Sequence, residues 1–270
     1  TFGGSNRAIR DYDRVGTNDY FELYWEAMRN QYAKDKKNYP TPEAAAAAAS
    51  ANLVKRLMNS GPNPYGTNYP QPVGTDGKLL AGATPLWDFD WQDAMEQQAL
   101  RTEIGLNASG GSKTNQYYFS AGYLNDKGIA LESGYQRFNL RSNITSEMTS
   151  WLKGGVNMSF AHSMQNYPVS SDTKTSNVIN AGRTMPGFYP IYEVNPNDGS
   201  IIYKDGSPVP DFGPYRPSGS MANWNLPATL PLDKSERMKD EFSGRTFLEV
   251  TFIPGLKFKT SFNFDLINYN

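Results

Sequence analysis

The sequence predicts an all-β fold, namely part of a large antiparallel transmembrane β-barrel with long, partly helical extracellular loops. First, polar and apolar residues alternate over six runs of roughly nine to twelve residues, the length that a tilted strand needs to cross a bilayer. Second, short turns alternate with long connections, as in outer-membrane barrels. Third, 17 Tyr, 14 Phe, 24 Gly and 18 Pro are typical of strands, turns and ordered loops.

Residues 1–100 are predicted to form the first long extracellular loop region, with two helices. One helix runs from Thr17 to about Lys36, and the other follows the capping residue Thr41 and ends near Asn59. A short helical turn with Asp90 as its cap precedes the strands. The first helix carries an apolar stripe at helical spacing: Phe21, Trp25, Met28 and Tyr32.

The strands are predicted in two segments. Residues 101–162 form barrel strands in two hairpins, and residues 241–270 form another barrel hairpin. Residues 163–240, between them, form a long extracellular loop. The alternating runs are 103–109, 117–123, 137–144, 156–161, 245–252 and 256–266.

The two faces of these strands are expected to meet different media. We expect lipid on the apolar face, with Tyr117 and Tyr123 at headgroup level near the two ends of one strand. Six strands cannot close a membrane barrel, so the remaining strands would belong to a longer chain or to partner chains. The polar face is predicted to line a wet lumen through Arg137, Asn139, Arg141, Asn143, Asn157 and Lys257.

Composition excludes several classes of function. A net charge of −1 and a pI of about 5.9 leave no basic surface for nucleic acid. The absence of cysteine and the single histidine, His162, exclude disulfides, thiolate zinc sites and multi-histidine metal sites. We therefore expect no cofactor, no metal and no catalytic residue. A hydrolase is the weakest alternative, because carboxylates such as Glu249 and Asp265 lie on a wet strand face where charges are ordinary.

The stretch "NQYYFSAGYLNDKGIALESGYQRFNLRSNITSEMTSWLKGGVNMSF", residues 115–160, resembles the SusC/RagA-like family of TonB-dependent outer-membrane transporters of Bacteroidetes-type bacteria. The stretches "YDRVGTNDYFELYWEAMRN" and "FDWQDAMEQQALRTEIGLNASGG" extend the resemblance upstream, over most of residues 10–165. The matching motif positions are Tyr117, Tyr118, Ser120, Gly122, Tyr123, Gly128, Ile129, Phe138, Arg141, Asn143, Trp151, Leu152, Lys153, Asn157 and Ser159.

The resemblance implies a 22-stranded barrel with an N-terminal plug in the bacterial outer membrane, surrounded by outer-membrane lipid. It further implies import driven by the TonB complex, of a glycan or peptide substrate delivered by a SusD-like surface lipoprotein. The plug and the TonB box are not recognised in these residues. Contact with TonB would therefore involve an N-terminal region outside this sequence.

The expected function is thus active import of bulky nutrients, either oligosaccharides or peptides. The alternative is a soluble or surface-attached carbohydrate-binding β-domain without transport activity. The long loop supplies aromatic rings that can stack on sugars or peptide side chains and arginines that can bind acidic groups, although the rings could equally hold the loop together. These contact candidates are Arg183, Phe188, Tyr189, Tyr192, Tyr215, Arg216 and Trp224.

Overall fold

The computed structural model describes residues 1–7, 13–168, 177–217, 220–233 and 235–270. The chain divides into two compact units. We call the first the sheet unit; it comprises Thr1–Ala8, Gln97–Pro168 and Lys234–Asn270. The second, the loop unit, comprises Ile9–Glu96 and Val169–Asp233, so two segments that are distant in sequence fold together.

The helices and short strands of the loop unit occupy both of its segments. The helices are α1 (Thr17–Tyr32), α2 (Pro42–Met58), α3 (Trp91–Ala94), α4 (Val178–Thr184) and α5 (Leu226–Thr229), with a 3₁₀ turn at Leu230–Leu232. In chain order, the strands of both units are β1 (Phe2–Ser5), β2 (Ala99–Gly111), β3 (Asn115–Lys127), β4 (Gly134–Glu147), β5 (Leu152–Asn166), β6 (Tyr203–Lys204), β7 (Ser207–Pro208), β8 (Glu236–Ile253) and β9 (Leu256–Tyr269). Strands β6 and β7 form a small hairpin in the loop unit.

The sheet unit is one antiparallel sheet of seven strands in the order β1-β2-β3-β4-β5-β8-β9. All six predicted strands are present. The strand β1 was missed: Phe2–Ser5 pairs with Ala99–Thr102, although the first hundred residues were expected to hold only loop and helix. Four residues with two adjacent glycines carry too little alternation to be recognised.

Strand β8 begins at Glu236, well before its alternating part. The run "ERMKD" contains a single apolar residue, Met238, so it shows no alternation although it pairs with β5. The tight turns after β2, β4 and β8 all lie at the same end of the strands. We call this side of the sheet, formed by strand ends, the turn edge. The opposite edge, the loop edge, is where β2 and β8 begin and β5 ends, so both segments of the loop unit connect to the sheet there.

Strand register places the apolar side chains in rows. One row crosses six strands through Leu106, Ala121, Leu140, Phe160, Phe242 and Leu266. The side chains of this face remain open to the surroundings: Leu106 is 71% exposed and Phe262 is 65% exposed. Within the described parts of the chain, no second sheet packs on this apolar face.

The loop unit has a conventional core built on aromatic rings. Phe21 of α1 contacts Tyr65 and Phe188 edge to face, with ring centroids 5.0 and 5.3 Å apart. The indole N–H of Trp25 donates to Ser50 Oγ of α2 at 2.8 Å. Trp91 donates to the carbonyl oxygen of Tyr189 at 2.7 Å, which ties the first segment of this unit to the second.

Both predicted helices are present in this unit, but α1 ends at Tyr32 rather than near Lys36. The helix α2 has Thr41 as its N-cap, since Thr41 Oγ1 accepts from Ala44 N–H at 3.2 Å. Asp90 caps α3 by accepting from the N–H groups of Gln92 and Asp93 at 2.9 and 3.1 Å. Among the residues described, no helix is both long enough and apolar enough to cross a membrane.

Candidate functional site

The six predicted lumen residues share one side of the sheet, which we call the polar face. Asn143 lies opposite Asn157, and Asn157 lies opposite Arg245 on β8. Arg137, Asn139 and Arg141 lie on β4 at even spacing from Asn143, so they share its side. Lys257 is opposite Thr251, at even spacing from Arg245. The register therefore brings these polar residues together across β4, β5, β8 and β9.

Several cations of the polar face have an acidic partner. Arg101 bonds to Glu103 and to Asp126, each at 3.0 Å. Lys153 pairs with Glu147 at 3.3 Å, and Lys257 pairs with Glu249 at 3.2 Å. These pairs are solvent-exposed, so each contributes little to the stability of the fold. Their effect is to neutralise the wall locally.

Arg141 and Arg245 differ from these cations. Neither side chain makes a hydrogen bond or an ion pair within the described part of the chain. Both line a concavity of about 450 Å³ in the middle of the polar face. The neighbours are mainly amides and hydroxyls: Asn143, Asn157, Ser159, Ser243 and Asn263, with one carboxylate, Asp265. This arrangement presents two positive groups among neutral hydrogen-bonding side chains.

The apolar face ends in polar residues near the loop edge. Tyr123 and Phe138 lie in the same row as His162 and Asp240, and His162 Nδ1 is 2.7 Å from Asp240 Oδ1. The next row outward contains Thr102, Asn125 and Gln136. On β2, β3 and β4 the row of Tyr123 thus marks the end of the apolar surface, whereas Met164 and Met238 continue this surface on β5 and β8. The alternation of single strands does not reveal this, because it depends on cross-strand register.

Three of the predicted contact residues are buried, and this corrects the expectation that they form a contact surface. Phe188, Tyr189 and Arg216 are 0%, 3% and 4% exposed. Phe188 packs against Phe21, and the hydroxyl of Tyr189 donates to Leu57 O at 2.8 Å. Their role is to hold the loop unit together, which was the competing interpretation of the aromatic residues.

Arg216 joins several parts of the loop-unit core. Its Nη2 donates to the carbonyl oxygens of Pro190 and Asp211 at 2.7 and 3.0 Å. The guanidinium also lies 5.4 Å from the centre of the Trp91 ring, within cation–π range. Burial, followed by the hydrogen bond to Asp211, raises the pKa of Tyr215 well above its usual range. Tyr215 therefore acts as a neutral donor to the Asp211 carboxylate.

The remaining contact candidates keep some accessible surface. Trp224 is 44% exposed, and Tyr192 is half-buried beside Phe89 with ring centroids 6.4 Å apart. Arg183, at the end of α4, lines a cavity of about 780 Å³ within the loop unit. The structure therefore retains part of the predicted contact set, but not as a single surface of seven residues.

The cavity beside Arg183 was not predicted from the sequence. Its lining includes Asp13, Asp88, Asp93 and Arg14, whose Nη2 pairs with Asp90 Oδ1. Burial alone would raise the pKa of Asp90, but the Asp93 N–H and the Arg14 charge outweigh it and lower that pKa. The sequence predicts Asp90 as the cap of a short helical turn, and Asp90 does cap α3. The only further signal was the density of carboxylates, which does not identify a cavity.

Comparison with known proteins assigns the fold. No family model matches the chain. TonB-dependent receptor P3 of Formosa agariphila is 27% identical over 186 residues, which cover 66% of this chain and 17% of that receptor. The TonB-dependent receptor SusC of Bacteroides thetaiotaomicron is 33% identical over 79 residues, covering 29% of this chain and 8% of SusC.

Among solved structures, the RagAB peptide importer in its closed-closed state matches with a TM-score of 0.57 and 21% sequence identity. The match covers 94% of this chain and 26% of the matched chain, and it shows the fold: the sheet is part of an antiparallel β-barrel wall. The chain is therefore similar in sequence to TonB-dependent receptors, SusC among them, and similar in fold to RagAB. Its location is the bacterial outer membrane, and the named relatives are receptors and importers rather than enzymes.

Proposed function

We propose that this chain contributes barrel wall and outer loops to a receptor that imports bulky nutrients, either oligosaccharides or peptides, in a TonB-dependent manner. The observation that carries the proposal is the uncovered apolar face, which runs across six strands. Soluble proteins seldom expose a continuous apolar patch larger than a few hundred Å². Hydrocarbon chains satisfy such a face without a second protein layer.

The polar face then lines the wet passage. Arg137, Asn139 and Arg141 would face water there, together with Asn143, Asn157 and Lys257. An ion pair such as Lys257 with Glu249 is tolerated in water, but transferring it to hydrocarbon carries a large free-energy penalty. The alternative, a soluble carbohydrate-binding domain, would leave Leu106 and Phe262 in contact with water, and the exposure of these side chains argues against it.

The two segments of the loop unit, Ile9–Glu96 and Val169–Asp233, are proposed to form the extracellular loops. Their attachment to one edge of the sheet supports this assignment, because outer-membrane barrels place short turns on one side and long loops on the other. A SusD-like lipoprotein is proposed to bind above these loops, with Trp224, Tyr192 and Arg183 as contact candidates. Coupling to TonB is proposed for the full-length receptor.

Cysteine accessibility tests the orientation of the two faces. The chain contains no cysteine, so single substitutions report one site each in a full-length receptor whose other cysteines, where present, are replaced. We expect Asn139→Cys to react with a membrane-impermeant thiol reagent in open receptors, and Leu140→Cys, its neighbour on the other face, to be protected by lipid. Reaction of Leu140→Cys at the rate of Asn139→Cys would contradict the proposed membrane face.

Import is tested separately, by uptake of oligosaccharide and peptide mixtures into cells that carry the receptor. We expect uptake to stop when TonB is deleted and to fall when the SusD-like lipoprotein is removed. Uptake that persists without TonB would contradict active import, whereas co-purification of a surface lipoprotein with the receptor would support the proposed partner.

A further inference from the structure

We propose that Arg141 and Arg245 form a binding site for carboxylate groups of an acidic solute on the polar face. The inference rests on the proposed function, since it assigns a substrate class to the wet passage. Its starting point is a contrast within one surface. Arg101, Lys153 and Lys257 each have an acidic partner at 3.0–3.3 Å, whereas Arg137, Arg141 and Arg245 form no ion pair within the described chain. Of these three, Arg141 and Arg245 line the concavity of about 450 Å³.

The register brings the two arginines within reach of one ligand. Arg141 lies in a row with Ser159 and Ser243, and Arg245 is two residues along β8 from Ser243. With strands about 4.8 Å apart and residues about 3.4 Å apart along a strand, the two Cα atoms are roughly 12 Å apart. Two extended arginine side chains can converge on a single group across that span.

The surroundings favour an anion that also accepts hydrogen bonds from neutral groups. The concavity offers amides from Asn143, Asn157 and Asn263 beside the guanidinium groups. A guanidinium binds a carboxylate through two parallel N–H bonds, which gives both strength and orientation. The amides can donate to the second carboxylate or to a backbone carbonyl of the same ligand.

One acidic residue shares the concavity. Asp265 lies opposite Ser243 and therefore diagonal to Arg245, but no ion pair joins the two side chains. Two arginines and one aspartate leave this patch with a net positive charge. Asp265 should weaken the binding of an anion, and its removal is a direct test of the electrostatic argument.

The experiment uses the purified full-length receptor and two pentapeptides of equal length, one rich in glutamate and one in which glutamine replaces every glutamate. We expect tighter binding of the glutamate peptide at low salt, with the difference reduced as salt is raised. Arg141→Gln or Arg245→Gln should each weaken its binding about tenfold, the effect of losing one charge-assisted contact. Neither change should alter binding of the glutamine peptide.

Two variants serve as controls. Lys153→Gln removes a cation that already pairs with Glu147, so it should change glutamate-peptide binding by less than about twofold, as expected for an exposed, screened pair. Asp265→Asn should strengthen that binding. Thermal melting of each variant establishes that the receptor is folded.

Equal binding of the two peptides, or no binding of either, would overturn the carboxylate site. A loss of thermal stability in both arginine variants without any change in peptide binding would also overturn it, since the arginines would then serve a protein contact. These outcomes are separate from the proposed function. If the Arg141→Gln/Arg245→Gln double variant still takes up the glutamate peptide in a TonB-dependent manner, the import proposal stands and only the acidic substrate class is rejected.

Discussion

The sheet unit and the loop unit of this chain are stabilised in different ways. The sheet unit has no interior of its own: Leu106 on one face and Arg141 on the other are both exposed, and the strands are joined through their backbone ladder. The loop unit buries Phe21, Trp91 and Phe188 completely. In the proposed barrel, the sheet contacts lipid on one side and water on the other, so it needs no core. The loops are surrounded by water and therefore require a core of their own.

Because it has a core, the loop unit is more ordered than an ordinary connection between strands. Long loops without a core remain mobile, because ordering each residue costs about 1–2 kcal/mol of backbone entropy. Here two segments share one core through contacts such as Trp87 Nε1 to Phe188 O at 3.0 Å. The loop unit is therefore a folded body that presents a defined surface.

The largest expected effect lies in that core. Phe188→Ala removes a fully buried ring that contacts Phe21, and it should lower the opening free energy of the loop unit by about 3–5 kcal/mol. Hydrogen exchange of the α2 amides in the full-length receptor measures this. Phe262→Ala, at an exposed ring of the apolar face, is the matched control. Equal exchange in the two variants would contradict the distinction between the units.

A charge on the apolar face tests the sheet unit in the same way. Leu140→Arg places a guanidinium in the proposed hydrocarbon layer and should destabilise the barrel by about 2–4 kcal/mol if the site is near the midplane. Asn139→Arg, one residue away on the polar face, should change stability by less than about 0.5 kcal/mol. Unfolding in urea from detergent or lipid vesicles compares the two, and a larger effect at Asn139 would reverse the assignment of faces.

The two units also differ in how much of them the sequence predicts. The strands were predictable because period-two alternation is local: "LKFKTSFNFDL" already shows both faces of β9. The burial of Phe188, Tyr189 and Arg216 was not predictable, because it depends on partners such as Phe21 and Trp91, which are far away in the chain.

The candidate site shows the same limit. The polar face of each strand was predictable, and so were its members, Asn143 and Asn157 among them. Whether a given cation has an acidic partner depends on which residues the register brings together: Glu249 lies beside Lys257, but no carboxylate bonds to Arg141 in the described chain. Alternation gives the face of a residue but not its cross-strand neighbour.

Backbone conformation provides a smaller test within the loop unit. Gly213 has φ of 54°, and a Cβ there would lie 2.0 Å from Arg216 Nε. Gly213→Ala should therefore destabilise the loop unit by about 1–2 kcal/mol, the cost of placing alanine in the left-handed conformation. It should in addition displace the buried guanidinium of Arg216. Gly206→Ala is the control, since Gly206 has φ of 80° but open space around it. Exchange rates that change equally in both variants would show that the guanidinium is not displaced.

The smallest expected effect concerns an ion pair at the surface of the loop unit. Glu22 of α1 accepts from Lys78 Nζ at 2.7 Å and from the Leu79 N–H at 3.1 Å, and these bonds lower its pKa below the usual value of 4.5. Because the folded-state pKa is depressed, the contribution is present above the unfolded pKa and is lost as the pH falls through the folded value. Lys78 is largely exposed, so the contribution is below about 1 kcal/mol.

Glu22→Gln should consequently speed exchange of the Leu79 amide at neutral pH and have little effect at a pH low enough to protonate Glu22. Glu26→Gln, one turn further along α1, removes a carboxylate that makes no ion pair in the described chain and should leave this amide unchanged. If Glu22→Gln had the same effect at both pH values, the carboxylate charge would not be what holds the 76–79 turn against α1.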